Sequence, residues 1–106
     1  MPKKSMDTLT ESMFYVLMAL MECPMCGIDI ADFIRQRTKG RLKIGPATLY
    51  TVLGKFEKEE YIQEVCVEGR KRTYQITSAG TAAYREELQR LKQCVMDAEG
   101  GYTYER

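Results

Sequence analysis

The 106-residue sequence contains no histidine and no tryptophan. Without histidine, a protein lacks the commonest general base, the serine–histidine pair of many hydrolases and every zinc site that combines histidine with cysteine. The GxGxxG, Walker A and GxSxG motifs of nucleotide-binding proteins and hydrolases are absent as well. These absences argue against an enzyme, and we expect no catalytic residues, no cofactor and no metal site.

Long hydrophobic runs are also missing. The longest one, Met13 to Met21, has nine residues, about half of the ~20 that a membrane-spanning helix needs. Asp7 and Glu11 precede it, where a secretory signal would carry basic residues. With 44% hydrophobic and 29% charged residues, the composition is typical of one globular domain. We therefore predict a soluble, cytoplasmic protein without a membrane partner.

Charge is unevenly distributed along the chain, although the net charge is only +1. Between positions 35 and 55 the sequence has no acidic residue and six basic ones: Arg35, Arg37, Lys39, Arg41, Lys43 and Lys55. Arg70, Lys71 and Arg72 form a second basic cluster. Two clusters that flank one predicted helix suggest a focused anionic partner. Either run taken alone would also fit an ordinary solvated surface.

Two helices are predicted in the first third of the chain. Helical spacing in "TLTESMFYVLMALM" places one apolar set on a single face: Leu9, Met13, Val16, Leu17, Leu20 and Met21. Thr8 and Glu11 have the spacing of a capping box, so we expect this helix to be capped by Thr8. After "ECPMCG", apolar residues at helical spacing indicate a second helix from about Gly27 to Thr38.

A third predicted helix has the sharpest start. Gly45 can cap it, Pro46 suits the first helical position, and Ile44 can pack against Leu49 as a hydrophobic staple. The predicted buried face consists of Leu49, Val52, Leu53 and Phe56. The remaining face presents Thr48, Tyr50, Thr51, Gly54 and Lys55 wholly or partly to solvent.

The chain then changes from a helical to a strand period. The letters "IQEVCV" indicate a strand, "EGRK" a turn, and residues 73–76 a return strand. Thr77 can cap a fourth helix. Its large apolar residues recur at spacings of four, three and four, which suits a coiled-coil-like partner helix: Tyr84, Leu88, Leu91 and Val95.

Three helices followed by a hairpin are the element order of a winged helix-turn-helix. We predict an α+β, mainly α fold: a winged helix-turn-helix DNA-binding domain over 1–76, a C-terminal dimerisation helix over 77–98 and a disordered tail over 99–106. The third helix would enter the major groove of double-stranded DNA, and the hairpin tip would reach the neighbouring backbone. The predicted DNA-binding residues are Lys43, Pro46, Ala47, Thr48, Tyr50, Thr51, Lys55, Arg70, Lys71 and Arg72. The predicted dimer interface is Met13, Tyr84, Leu88, Leu91 and Val95.

Three segments of the sequence resemble those of PadR-like transcriptional regulators: "PMCGIDIADFI", "GPATLYTVLGKFEKEEYI" and "RTYQITSAG". The likeness covers about residues 9 to 95. The positions that match are Pro24, Gly27 and Ile30 in the first segment, Thr48, Leu49, Tyr50, Leu53, Glu57 and Ile62 in the second, and Tyr74, Thr77 and Gly80 in the third. The resemblance implies a homodimeric repressor that pairs through its C-terminal helix. Two recognition helices related by a two-fold axis would then require an inverted-repeat operator.

Two departures from the family pattern affect what can be expected. Glu60 stands where a glycine usually follows the third helix, so we expect this helix to end differently or to run slightly longer. The small members of the family, which this chain resembles in its single C-terminal helix, include drug-responsive regulators that use tryptophan at the dimer interface to stack on planar ligands, and this chain has no tryptophan. We instead expect any effector to be apolar or aromatic and to bind between subunits, against Met13, Tyr15, Met18, Leu88, Leu91 and Val95.

Two alternative functions remain open at this stage. The CxxC pair Cys23 and Cys26, with Cys66 and Cys94, could make the protein a thiol-sensing or zinc-sensing repressor, although small apolar packing is the commoner role of such cysteines. The fold could also serve protein association, with a basic helix that is merely solvated. Salt separates these functions, because binding through several phosphates weakens steeply as salt rises and an apolar protein interface does not.

Overall fold

The computed structural model describes residues 9–100. Within this range the elements are α1 (Glu11–Glu22), β1 (Met25–Cys26), α2 (Gly27–Arg37), α3 (Pro46–Lys58), β2 (Ile62–Glu68), β3 (Lys71–Ile76) and α4 (Ser78–Ala98). The predicted class, a mainly helical winged helix-turn-helix, is confirmed. None of the helices in this range has the length and apolar character that a membrane crossing would need.

Helix α1 supplies the central layer of the core. Its residues Val16, Leu17 and Leu20 are almost fully buried. They pack in one cluster with residues from α2, α3 and the sheet, namely Ile30, Ile34, Leu49, Val52, Leu53, Phe56, Ile62 and Tyr74. One buried apolar stripe from each helix therefore fixes the α1, α2 and α3 arrangement.

The first helix begins later than the sequence predicted. Thr10 is its N-cap, with an extended backbone, and the Thr10 hydroxyl accepts a hydrogen bond from the Met13 N–H at 3.2 Å. The Thr10 N–H in turn donates to the Met13 sulfur at 3.5 Å. The predicted cap at Thr8 is wrong because Thr10 fills that position; Thr8 itself lies outside the described residues.

Helix α3 begins as predicted. Gly45 is its N-cap and Pro46 its first residue. The four apolar residues of the predicted stripe are all buried: Leu49, Val52, Leu53 and Phe56. Because that stripe faces the core, the first turn of α3 and Tyr50 remain at the surface.

The end of α3 differs from the expectation. Glu60 adopts the left-handed conformation itself, with φ of 63°. The Glu60 N–H donates to the Glu57 carbonyl at 3.0 Å, and the Tyr61 N–H donates to the Phe56 carbonyl at 2.8 Å. This is the hydrogen-bond pattern of a Schellman cap, and the Phe56 and Tyr61 rings pack with centroids 5.8 Å apart. The helix therefore ends where a glycine would have ended it.

The sheet has three strands rather than the predicted two. Its order is β1-β3-β2, and the short strand β1 pairs Met25 with Tyr74 and Cys26 with Thr73. The hairpin turn follows Glu68, where Gly69 has φ of 63°. A bulge interrupts the β2–β3 register between Glu64 and Cys66. The predicted hairpin with a basic tip, which we call the wing, is thus present and is fastened to the start of α2.

Helix α4 packs on the domain through the part that ends at Leu91. Thr77 caps it as predicted, and its hydroxyl accepts a hydrogen bond from the Gly80 N–H at 3.1 Å. The Tyr84 ring stacks on Phe14 of α1, with centroids 5.1 Å apart and planes at 13°. Residues 92–100 are all exposed. Of the predicted tail, Glu99 and Gly100 follow the helix as its cap, and residues 101–106 lie outside the described range. The division of the chain at residue 77 stays a prediction.

Candidate DNA-binding surface

The start of α3 presents a continuous exposed surface. Pro46, Ala47, Thr48 and Thr51 are exposed, and Tyr50 has 54% of its surface exposed. The N-cap residue Gly45 has no side chain that could accept hydrogen bonds from the N–H groups of the first turn of α3. The backbone N–H groups at such a helix start have no partner within the helix and favour anions. This surface therefore offers hydroxyl groups and unpaired amides together.

The wing tip lies beside Tyr50. A cleft of about 370 Å³ is lined by Tyr50, by Arg70, Lys71 and Arg72 of the wing, and by residues 26–29 at the start of α2. All three wing cations are exposed. The Arg72 guanidinium approaches the Glu64 carboxylate at 3.4 Å, which leaves it half exposed. The structure thus brings together four of the predicted DNA-binding residues around one opening.

Lys43 and Lys55 do not line this cleft. Lys43 is exposed in the connection before α3, and Lys55 is exposed in the last turns of α3. Lys43 thus lies just before the exposed start of α3, and Lys55 lies near the opposite end of the same helix. Their contact with DNA, like that of the other predicted residues, stays a prediction.

Part of the basic stretch is bound to the protein itself, which sequence reasoning missed. The Arg41 guanidinium donates hydrogen bonds to the Glu11 carboxylate and to the Tyr15 hydroxyl, both at 3.0 Å. The hydrogen bond to Glu11, helped by Tyr15, raises the pKa of Arg41. Arg37 stacks over the Phe33 ring at 4.6 Å and lies 3.7 Å from Glu22. These cations fasten α2 and its connection to α1 rather than facing outward freely.

The second half of α4 carries an apolar face. Leu91, Lys92, Val95 and Met96 line a shallow cleft of about 390 Å³. Val95 and Met96 expose 54% and 39% of their surface. Met96 was missed from the sequence because it stands next to Val95 and outside the four–three–four spacing. Leu91 and Val95, which the sequence assigned to the dimer interface, therefore lie together at the surface.

Two other predicted interface residues, Met13 and Tyr84, pack mainly against residues of their own chain. Met13 has only 8% of its surface exposed and belongs to the core cluster. Tyr84 is partly buried by its stacking on Phe14. Little of either side chain remains available to a partner. The role of these residues and of Leu88 in dimerisation stays a prediction.

An ion pair within α4, of which only the carboxylate is buried, faces the start of α1. Glu87 is 5% exposed, and its carboxylate accepts a hydrogen bond from the Arg90 Nε at 3.0 Å. The Arg90 hydrogen bond lowers the pKa of Glu87 against the opposing effect of burial, and the Leu9 N–H helps. Both residues line a cleft of about 360 Å³ with Phe14, Tyr15 and Leu91. Glu11 and Tyr15, the two partners of Arg41, also line this cleft, so it lies between the Arg41 contacts and α4.

The cysteines do not gather at one place. Cys23, Cys66 and Cys94 are exposed, Cys26 is buried, and all four are free thiols. Within residues 9–100, no three or more cysteine or acidic side chains are grouped as a metal site would require. The zinc-sensing alternative therefore has no cluster of ligands among the described residues to build on.

An exposed helix start, a basic wing beside it and the underlying fold are those of a winged helix-turn-helix protein. The sequence profile of the PadR-like family of transcriptional regulators matches residues 16–86. The chain therefore belongs to the PadR-like family, whose members are transcription regulators rather than enzymes.

Individual proteins and solved structures are similar to this chain. An uncharacterised protein of Lysinibacillus sphaericus is 36% identical over 77 residues, which cover 69% of this chain and 70% of the relative. A solved structure of a transcriptional regulator from Clostridium thermocellum is 26% identical, with a TM-score of 0.74 over 87% of this chain and 92% of that one. A PadR family transcription regulator from Clostridium difficile shares the fold at 19% identity, with a TM-score of 0.68 over 81% and 94% of the two chains.

Proposed function

We propose that this protein is a sequence-specific repressor that binds double-stranded DNA as a homodimer and is released by a small effector. One observation carries the proposal: Tyr50 on the exposed face of α3 and three wing cations surround the same opening. A recognition helix needs hydrogen-bonding groups near its N-terminus, and a wing needs positive charge for the adjacent phosphates. Both requirements are met on one side of this molecule.

The residues of this surface would have two different roles in binding DNA. Thr48, Tyr50 and Thr51, in the first two turns of α3, would contact base edges or nearby phosphates. Arg70, Lys71 and Arg72 would contact phosphates of the flanking backbone, which fixes position without reading sequence. Specificity would therefore come from α3, and much of the affinity from the wing.

The dimer would form through the second half of α4. Val95 and Met96 are apolar and exposed there, Leu91 is partly exposed beside them, and covering all three against a second copy would remove that surface from water. A two-fold axis through this contact would set two α3 helices against an inverted repeat.

An apolar or aromatic effector would act through the region between α1 and α4. Of the predicted lining, Tyr15 and Leu91 border the cleft that also contains Phe14, Glu87 and Arg90. Met13 contributes little because it is buried. A ligand that prefers one separation of the two recognition helices would shift the population of dimers that fit the operator.

Salt dependence of DNA binding tests the proposal. Operators selected from a random DNA pool should be inverted repeats, and binding should weaken steeply as salt rises. Alanine at Arg70, Lys71 and Arg72 should flatten the plot of log K against log salt by about 0.9 for each phosphate that the protein no longer neutralises. Arg85→Ala, which removes an exposed cation from α4, is the matched control for Arg70→Ala and should leave the slope unchanged. Binding that does not respond to salt would contradict the proposal and favour protein association.

A further inference from the structure

The first residue of α2 lies directly against the side chain of Tyr50. A Cβ placed on Gly27 would stand 2.6 Å from the Tyr50 hydroxyl oxygen and 3.0 Å from its Cζ. Gly27 is itself buried, whereas Ile28 beside it is 71% exposed and Tyr50 is 54% exposed. The tip of the phenol therefore covers the bare backbone of Gly27 while the rest of the ring faces outward.

Conformational freedom does not explain a glycine at this position. The φ of Gly27 is outside the left-handed region, so an alanine could adopt the same backbone. Alanine is also the better helix former. A side chain at position 27 would have no room, because the Tyr50 phenol occupies that space.

We infer that Gly27 is a positioning residue for Tyr50. By lacking a side chain, it lets the phenol rest on the first turn of α2, inside the cleft that the wing cations border. Tyr50 is then held in one orientation before DNA arrives. A contact residue that is already ordered loses less side-chain freedom on binding, so the bound state gains affinity. This consequence for DNA rests on the proposed function, whereas the seating of the phenol does not.

Two features of the geometry make the effect selective for Tyr50. The atoms nearest to the missing Cβ all belong to the Tyr50 ring and hydroxyl. Tyr50 is largely exposed, so its ring can swing away without disturbing the core. A methyl group at Gly27 should therefore displace the phenol while leaving the fold intact.

The first experiment observes Tyr50 without DNA. The protein is produced with tyrosines carrying carbon-13 in the ring, and Tyr50→Phe identifies the Tyr50 signals among those of the seven tyrosines. Gly27→Ala should shift the Tyr50 ring signals. Gly54→Ala is the matched control, because it lies one turn after Tyr50 on α3 and a Cβ there meets nothing within 4 Å. Tyr50 signals that are unchanged by Gly27→Ala would overturn the inference.

The second experiment measures operator binding. Gly27→Ala should weaken binding about three- to tenfold, the order expected from releasing one ordered side chain, while the melting temperature does not fall. In a Tyr50→Ala background the same substitution should have no further effect on affinity. Equal losses in both backgrounds would overturn the inference, since Gly27 would then act independently of Tyr50. Failure of the wild type to bind any DNA would reject the proposed function. The Tyr50 ring signals would still show whether Gly27 positions the phenol.

Discussion

Glu60 and Lys39 follow helices α3 and α2 with left-handed backbones, at φ of 63° and 54°. A residue with a Cβ pays about 1–2 kcal/mol in this conformation, and glycine does not. Around Glu60 the surroundings hold the chain in place: the Thr77 hydroxyl donates to the Glu60 carbonyl at 2.7 Å, and the Thr77 N–H donates to the Tyr61 carbonyl at 2.9 Å. The start of α4 therefore stabilises the strained end of α3.

Glu60→Gly should stabilise the protein. The substitution relieves the left-handed strain and keeps every backbone hydrogen bond, so we expect a gain of about 1 kcal/mol and a melting temperature about 4–8 °C higher. Thermal unfolding followed by circular dichroism measures the change. Glu59→Gly is the control, because Glu59 has a right-handed backbone with φ of −83° and glycine there should lower stability. A lower melting temperature for Glu60→Gly would contradict this account of the cap.

The buried carboxylate of Glu87 gives stability a dependence on pH. Its pKa is lower in the folded protein than in the unfolded chain, chiefly because of the Arg90 hydrogen bond. The folded state therefore holds the ionised form more strongly, so this stabilisation is complete above the unfolded pKa of about 4.3 and is lost as pH falls below it. Glu87→Gln should be less stable at pH 7 and should lose less further stability between about pH 5 and pH 3. Urea titrations at several pH values measure this, with Glu86→Gln, an exposed neighbour, as the control. If the stability of wild type and of Glu87→Gln changed with pH in parallel, Glu87 would not be the source of this pH dependence.

At the scale of elements, the connection between α2 and α3 has little regular structure of its own. Arg41 fastens it to α1 through Glu11 and Tyr15. Within the connection, the Thr38 hydroxyl donates to the Ile34 carbonyl at 2.8 Å and accepts from the Leu42 N–H at 3.1 Å. Because α3 begins directly after this segment, these contacts help to hold the start of α3, whose orientation is fixed by its buried stripe.

Arg41→Gln should loosen the connection more than it lowers global stability. Exposed ion pairs contribute little to the free energy of unfolding, but this pair bridges two elements. Deuterium exchange should therefore rise in peptides that cover residues 38–45, while the melting temperature changes little. Arg35→Gln breaks a pair inside α2, with Asp32 at 3.0 Å, and should leave exchange of the connection unchanged. Equal exchange in wild type and Arg41→Gln would show that the contact does not hold the segment.

Local chemistry made some elements predictable and not others. The start of α3 follows from Gly45 and Pro46, because both residues restrict or cap the chain without help from other elements. Strand β1 has only two residues and exists through pairing with β3, which no local pattern reports. The cap at Glu60 was missed for the same reason, since contacts from Thr77, distant in sequence, support it.

The candidate site divides in the same way. The exposed face of α3 and the basic wing could be predicted because burial periodicity and a turn signal place them. The contact between Gly27 and Tyr50 could not, because it depends on how α2 and α3 cross. Nor could the sequence tell that Arg41 turns toward Glu11.

At the scale of the whole molecule, α4 extends beyond the domain it belongs to. Tyr84 stacks on Phe14 of α1, Glu87 accepts from the Leu9 N–H just before α1, and the residues after Leu91 are exposed. An isolated helix end that exposes Val95 and Met96 gains by packing against a second copy. The proposed dimer would thus be held by the part of α4 that the single chain leaves uncovered.

Val95→Asp should shift the protein toward monomers without unfolding it. Val95 is exposed in the single chain, so the charge costs little there, but it would have to be buried in the proposed interface. Sedimentation velocity at micromolar concentration should show a smaller species than wild type. Gln93→Asp, exposed on the opposite side of α4 from Val95, should not change the sedimentation coefficient. Leu88→Asp should also favour monomers if Leu88 reaches the interface. A wild type that sediments as a monomer would contradict the dimer.

Strand β2 lies at one edge of the sheet, and it exposes Val65 and Val67 there. An open, apolar edge is a template on which strands of other molecules can add, leading to aggregates. The bulge between Glu64 and Cys66 leaves Val65 without a partner in the register, so the edge is broken near its middle. Glu64 and Glu68 also place negative charge along the same strand. The bulge therefore gives the wing a safeguard against fibrous self-association, a property that would matter for the proposed DNA binding, in which the wing has to stay uncovered.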